Sequence, residues 1–166
     1  MLMQNQTEIA WIPEKMFEAM TIEADRTFPD ETGGVLLGYW AKPYSEVVVT
    51  QLIGPGPRAI HKRNRFIPDS DYQEEEIARL YKESGHLHVY LGDWHTHPGS
   101  TAYLSPKDHR TLDRIAEFPE ARMPVPIMVV LSGPPWSIKV WKASPIECVG
   151  ATLLRRAIPL AVQIYT

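Results

Sequence analysis

Between Asp93 and Asp108 the chain runs Asp-Trp-His-Thr-His-Pro-Gly-Ser-Thr-Ala-Tyr-Leu-Ser-Pro-Lys-Asp. This run leaves the backbone little freedom. Leu87 to His95 has the composition of a strand, Thr96 to Leu104 is a loop, and Ser105 starts a helix that Pro119 must end. His95 and His97 lie two apart, so in a strand both point to one face, close enough to share a metal. Pro98 then ends ladder pairing. Ser105, Pro106 and Asp108 are the N-cap, first position and N3 acid of a capping box. That reading needs no metal. It is also compatible with one, because a helix start holds a side chain rigidly and aims its N–H groups outward. Two neutral imidazoles and one carboxylate, with a fourth position open, is the usual catalytic zinc set, and Asp108 supplies the carboxylate.

Elements of both kinds alternate along the rest of the chain. Glu8 to Ile12 is a short strand. Pro13 opens a helix to about Arg26, with Met16, Phe17, Met20 and Ala24 at helical spacing. Phe28-Pro29-Asp30 turns the chain. Glu31-Thr32-Gly33-Gly34 leads into a buried strand, Val35 to Trp40, with Ser45 to Ile53 as its hairpin partner. A basic stretch of Arg58, His61, Lys62, Arg63 and Arg65 follows Gly54-Pro55-Gly56-Pro57. Asp69-Ser70-Asp71 caps a helix to about Ser84, with Tyr72, Ile77, Leu80 and Tyr81 as its apolar face. Val125 to Leu131 and Trp136 to Trp141 are late strands. The tail from Pro145 is ambiguous between strand and helix. An α/β or α+β sandwich follows.

The 166 residues are enough for one domain with a real core, and 44% apolar content excludes wholesale disorder. A net charge of −3 lacks the basic footprint of a nucleic-acid binder. The single cysteine, Cys148, excludes an internal disulfide and a cysteine-only zinc site, and points to a reducing, intracellular setting. The longest apolar stretch, Pro124 to Leu131, is too short to span a bilayer, and no charged region precedes an apolar one at the start. A cytoplasmic protein with neither nucleic-acid nor membrane partners is the expectation.

His-x-His, seven residues, Ser, two residues, Asp resembles the motif of the JAMM (MPN-domain) metalloproteases. His95, His97, Ser105 and Asp108 meet it without a gap. Glu31-Thr32-Gly33-Gly34 before Val35-Leu36-Leu37-Gly38 is similar to the upstream segment that carries the family's catalytic Glu. The resemblance spans roughly residues 8–143, with 144–166 as a C-terminal extension of one domain over 1–166. It implies an α/β, cytidine-deaminase-like fold with a mixed curved sheet flanked by helices. It also implies one Zn2+ per chain on His95, His97 and Asp108, Glu31 as proton carrier, and Ser105 as oxyanion donor. Gly92 to Pro98 resembles the short bacterial members that accompany antiphage ubiquitin-like conjugation operons; others serve sulfur-carrier systems. The implied substrate is the C-terminal tail of a ubiquitin-like protein or a conjugated target.

Other residues compete for roles. Asp93 shares the face of His95 and His97, so it is a rival ligand or a supporting group. Trp94 and Thr96 take the opposite face, and Trp94 belongs in the core. His86 and His88 form a second His-x-His, but His88 would stand roughly 23 Å from His95 along an ideal strand. His109 is helix surface or a supporting group. The segment from Pro57 to Ile67 and the loop from Gly99 to Leu104 flank the site. A ubiquitin-like tail would lie there as an extended strand on a free edge.

Two other classes share parts of this pattern. A metal-free MPN-type scaffold generally loses a ligand or the Glu, and this chain keeps all five residues. A nucleobase deaminase needs His-x-Glu and Pro-Cys-x-x-Cys, which one cysteine excludes. His-Glu-x-x-His and a phosphate-binding lysine loop are likewise missing from the sequence.

Overall fold

The computed structural model describes residues 7–166. The elements in chain order are β1 (Ile9–Pro13), α1 (Glu14–Thr27), β2 (Gly33–Lys42), β3 (Glu46–Ile53), β4 (Ile60–Lys62), β5 (Arg65–Ile67) and α2 (Ser70–Glu83). Then come β6 (Val89–Pro98), α3 (Pro106–Glu117), a 3-10 turn (Pro119–Ala121), β7 (Ile127–Gly133), β8 (Ser137–Ala143), β9 (Glu147–Val149), β10 (Thr152–Leu154) and β11 (Ala157–Tyr165).

Seven strands form one sheet in the order β1-β11-β8-β7-β6-β2-β3, and β3 returns to β1. The sheet is mixed, as expected: β1 runs parallel to both β11 and β3, β6 runs parallel to β7, and the other pairs are antiparallel. It is not simply a curved sheet, however; it closes into a barrel. The ambiguous tail explains the closure. Its last part is a strand, β11, and β11 bridges β8 and β1. Closure pairs the backbone groups that an open sheet would leave on its edges.

The apolar runs of β2 and β7 now have a reason. Leu36, Ile127, Val129 and Leu131 fill the barrel interior together with Ile12, Met20 and Trp94. Their neighbours along the strands point outward and are covered too. Met128 and Val130 lie under Leu112 of α3, and Val35 and Leu37 pack against Ile77 and Leu80 of α2. Strands buried on both faces lose the alternation that marks a half-exposed strand. On α2, Tyr72 and Tyr81 are exposed rather than core-facing. Gln73 is buried in their place, its amide donating to the Gly54 carbonyl at 3.0 Å. Among the described residues no helix is long and apolar enough to cross a membrane.

β6 continues to Pro98, past the expected end at His95, because β7 pairs with it as far as Pro98 opposite Gly133. Within β6 the register to β2 slips, Leu36 facing Gly92 and Leu37 facing Tyr90. The bulge at Leu91 breaks strict alternation, so Leu91 and Trp94, three apart, both enter the barrel core. Gly92 makes the bulge possible with φ +148°, and a Cβ there would collide with the Ile127 carbonyl. Gly92→Ala is therefore expected to cost about 3 kcal/mol. Thermal unfolding should show Tm falling by roughly 10 °C. An unchanged Tm would mean the bulge relaxes freely.

Candidate active site

Beyond the bulge, β6 presents Asp93, His95 and His97 to one side, where they line a cavity of about 620 Å³. β7 next to it and β2 opposite Gly33 hold this strand on both sides. The first turn of α3 brings Ser105 and Asp108 to the same cavity, and the connection before β2 brings Glu31. The five residues singled out from sequence thus share one cavity wall. Tyr103 and Ser100 of the following loop, and Arg63 and Phe66 of the β4–β5 hairpin, complete it.

His95 Nε2 and His97 Nε2 are 3.0 Å apart. Asp108 Oδ1 is 3.2 Å from the first, and Oδ2 is 3.5 Å from the second. Among the described residues this is the group of three or more metal-ligating side chains whose donor atoms converge, all within 4.8 Å. Donor atoms about 2.1 Å from a tetrahedral ion lie about 3.4 Å from one another, so the observed spacing fits a shared cation. Two imidazole nitrogens facing each other over a carboxylate are poorly served by protons alone, since a neutral imidazole has one donor.

The capping box is present as well. Ser105 N–H donates to Asp108 Oδ2 at 2.8 Å, the Ser105 hydroxyl donates to the same oxygen at 2.7 Å, and Asp108 N–H donates to Ser105 Oγ at 3.2 Å. One carboxylate therefore caps the start of α3 and faces the histidines. Burial pushes the Asp108 carboxyl up. Hydrogen bonds from His95, His97 and Ser105 more than offset this and hold it well below the usual range.

Glu31 lies in the connection between Asp30 and β2, half-buried. Burial raises its carboxyl above the ordinary value, and Asp108 adds to this; His95, His97 and Lys107 oppose it. A clamp pins the connection to β6. Thr32 N–H donates to Thr96 Oγ1 at 2.9 Å, and Thr96 N–H donates to the Thr32 carbonyl at 2.9 Å. On the other side Glu31 N–H donates to the Lys62 carbonyl at 2.9 Å, and His61 Nδ1 donates to the Glu31 carbonyl at 3.0 Å.

Asp93 stands outside the converging group. Its Oδ1 accepts from the Tyr90 hydroxyl at 2.8 Å, and burial raises its carboxyl. Trp94 is in the core, with its indole N–H donating to the Ile53 carbonyl at 3.1 Å. His86 and His88 stack on Tyr81 and Tyr39 before β6 begins, and His109 is exposed on α3. The sequence places Thr96 on the far face without its bond to Thr32, and shows His61 only as one member of a basic stretch flanking the site. The alternation around His95 signalled the first. A lone histidine in a basic loop carries no signal for the second.

Residues 13–144 match the family described as prokaryotic homologs of the JAB domain. The chain is 42% identical over 137 residues to a probable metalloprotease, y4qB, of Sinorhizobium fredii, an alignment covering 81% of this chain and 83% of that one. It is 25% identical over 124 residues to a CD-NTase/cGAS isopeptidase of Enterobacter hormaechei, covering 75% and 67% respectively. The fold is similar to the solution structure of protein DSY2949 from Desulfitobacterium hafniense, with TM-score 0.65, 20% identity, and coverage of 95% and 92%.

Proposed function

The chain belongs to the prokaryotic JAB-domain family, and on that premise we propose that it is a zinc-dependent isopeptidase or peptidase. It would cut after the C-terminal tail of a ubiquitin-like protein or a conjugated target, in the bacterial cytoplasm. The convergence of His95, His97 and Asp108 beside Glu31 carries this reading. Relatives named as CD-NTase/cGAS isopeptidases favour a conjugation system of the antiphage kind.

His95, His97 and Asp108 would hold the metal. When bound, it supplies a Lewis acid for the scissile carbonyl and lowers the pKa of a water. Glu31 takes the proton of the attacking water and later passes it to the leaving amine. Its half-buried position suits the task, because a base with a raised pKa is also a competent acid near neutrality. Ser105 is the oxyanion donor. Its hydroxyl rests on Asp108, so it exchanges partners as charge develops on the substrate oxygen, a contribution of roughly 3 kcal/mol. No acyl-enzyme is required, so no serine or cysteine nucleophile is needed.

Barrel closure leaves β4–β5 and β9–β10 as separate two-stranded hairpins; β4–β5, whose Arg63 and Phe66 line the cavity, is the surface for an extended tail. Metal analysis should find one zinc per chain. Mass spectrometry of ubiquitin-like fusions should find cleavage directly after the tail. Intact fusions under saturating zinc, across ubiquitin-like and sulfur-carrier partners, would overturn the assignment.

Burial raises the Glu31 carboxyl in the metal-free site. In the metal-free chain it should therefore titrate above a free glutamate, which is about 4.3. NMR titration of the Glu31 side-chain carboxyl in chelator checks this. Titration at or below the ordinary glutamate value would show that burial does not dominate at this position.

A further inference from the structure

The basic stretch between Arg58 and Arg65 has no collective role in the proposed chemistry, and its members have separate tasks. Arg58 is tied to Asp69 at 2.9 Å and to Asp71 at 2.8 Å, which staples the base of the hairpin to the start of α2. Arg63 faces the cavity. His61 turns toward the connection that carries Glu31. We infer that His61 is a positioning residue for Glu31, acting through the main chain. The inference rests on the reading of Glu31 as the proton carrier.

Glu31 lies outside any strand or helix, yet a general base must be held to within a fraction of an ångström. Its C-terminal neighbour is fixed by the clamp between Thr32 and Thr96. Its own peptide groups are both held by the hairpin: the Lys62 carbonyl takes its N–H, and His61 Nδ1 reaches its carbonyl at 3.0 Å. A carbonyl only accepts, so Nδ1 carries the proton. The imidazole stacks on Phe66, with ring centroids 5.5 Å apart and planes 29° apart. Phe66 in turn sits over Gly33, where an added Cβ would come within 2.9 Å of the phenyl ring. Gly33, Phe66, His61 and Glu31 therefore form one packed chain of contacts from β2 to the hairpin and back to the catalytic connection.

The hairpin has no strand ladder to the barrel. Removing the imidazole leaves a single hydrogen bond between Glu31's own peptide groups and the hairpin. The peptide unit joining Glu31 to Thr32 then keeps only its bond from Thr32 N–H to Thr96, so it can tilt about that bond, and the carboxylate shifts with it. The metal-ligating side chains, held by β6 and α3, stay where they are.

The test uses the full chain loaded with zinc and a ubiquitin-like domain carrying an amide-linked coumarin at its C-terminus. His61→Ala should lower kcat about tenfold with KM within about twofold. His61→Asn, whose amide nitrogen stands near the position of Nδ1, should recover most of the loss. In a Glu31→Gln background, His61→Ala should change the residual rate no further. A rise in KM with kcat intact, an additive double mutant, or no rescue by His61→Asn would overturn the inference. Hydrogen exchange followed by NMR supplies a readout independent of substrate. His61→Ala should speed exchange of the Glu31 amide about tenfold while amides of β6 and β7 keep their protection. Unchanged exchange at Glu31, or loss of protection throughout, overturns the inference even if the coumarin probe is not cleaved. An uncleaved probe would itself count against the proposed substrate.

Discussion

Glu31→Gln should lower kcat about a thousandfold while the chain still binds one zinc and melts at the temperature of the parent. General acid–base catalysis by one positioned side chain contributes about two to four powers of ten. The amide of glutamine keeps the size of the carboxylate but cannot take a proton. Among the described residues no hydrogen bond or ion pair engages the Glu31 side chain: its peptide groups make the contacts to the hairpin, and those survive the substitution. Burial of a charged carboxylate is unfavourable, so neutralising it should not destabilise the fold. The measurement is kcat on a cleavable fusion, with metal content by mass spectrometry and Tm by calorimetry. A variant that keeps a tenth or more of the parent rate would remove Glu31 from the mechanism. A variant that loses zinc would make it a ligand instead.

The parts of the site visible in sequence were those governed by local rules. His95 and His97 share a face because strand side chains alternate, and Ser105 to Asp108 is a helix start because Ser, Pro and an acid at those positions satisfy free N–H groups. The structure bears out both geometries. β1, α1 and the β2–β3 hairpin were visible for the same reason. What escaped notice depends on contacts distant in sequence. β11 pairs with β1, 152 positions earlier at the register Ile9 to Ala161, and a tail of mixed apolar and polar residues gives no local hint of it. β4 and β5 have three residues each, too few to show a period, inside a stretch legible in sequence only by its basic charge. The bond between His61 and Glu31 spans thirty residues and involves the main chain of Glu31, so no side-chain pattern encodes it. Local periodicity thus revealed the candidate site residues, and long-range pairing supplied the parts that hold them.

The double duty of Asp108 yields the second large effect, and a variant can separate its two tasks. Asp108→Asn retains an oxygen for Ser105 N–H and the Ser105 hydroxyl, so the cap of α3 should survive. The charge that complements a cation is lost, and with it the third anionic or imidazole ligand. In chelator, Tm of Asp108→Asn should lie within a few degrees of the parent. With free zinc at about a thousand times the parent's Kd, the parent gains about 4 kcal/mol by mass action. For a chain of this size that is roughly 10 °C in Tm. Asp108→Asn should gain almost none of it and cleave nothing. Asp108→Ala should show the same loss of zinc response, together with about 1 kcal/mol of lost cap, visible in chelator. Equal zinc-induced stabilisation of parent and Asp108→Asn would show that the cation sits elsewhere, and the site built from His95, His97 and Asp108 would reduce to a helix cap beside two histidines.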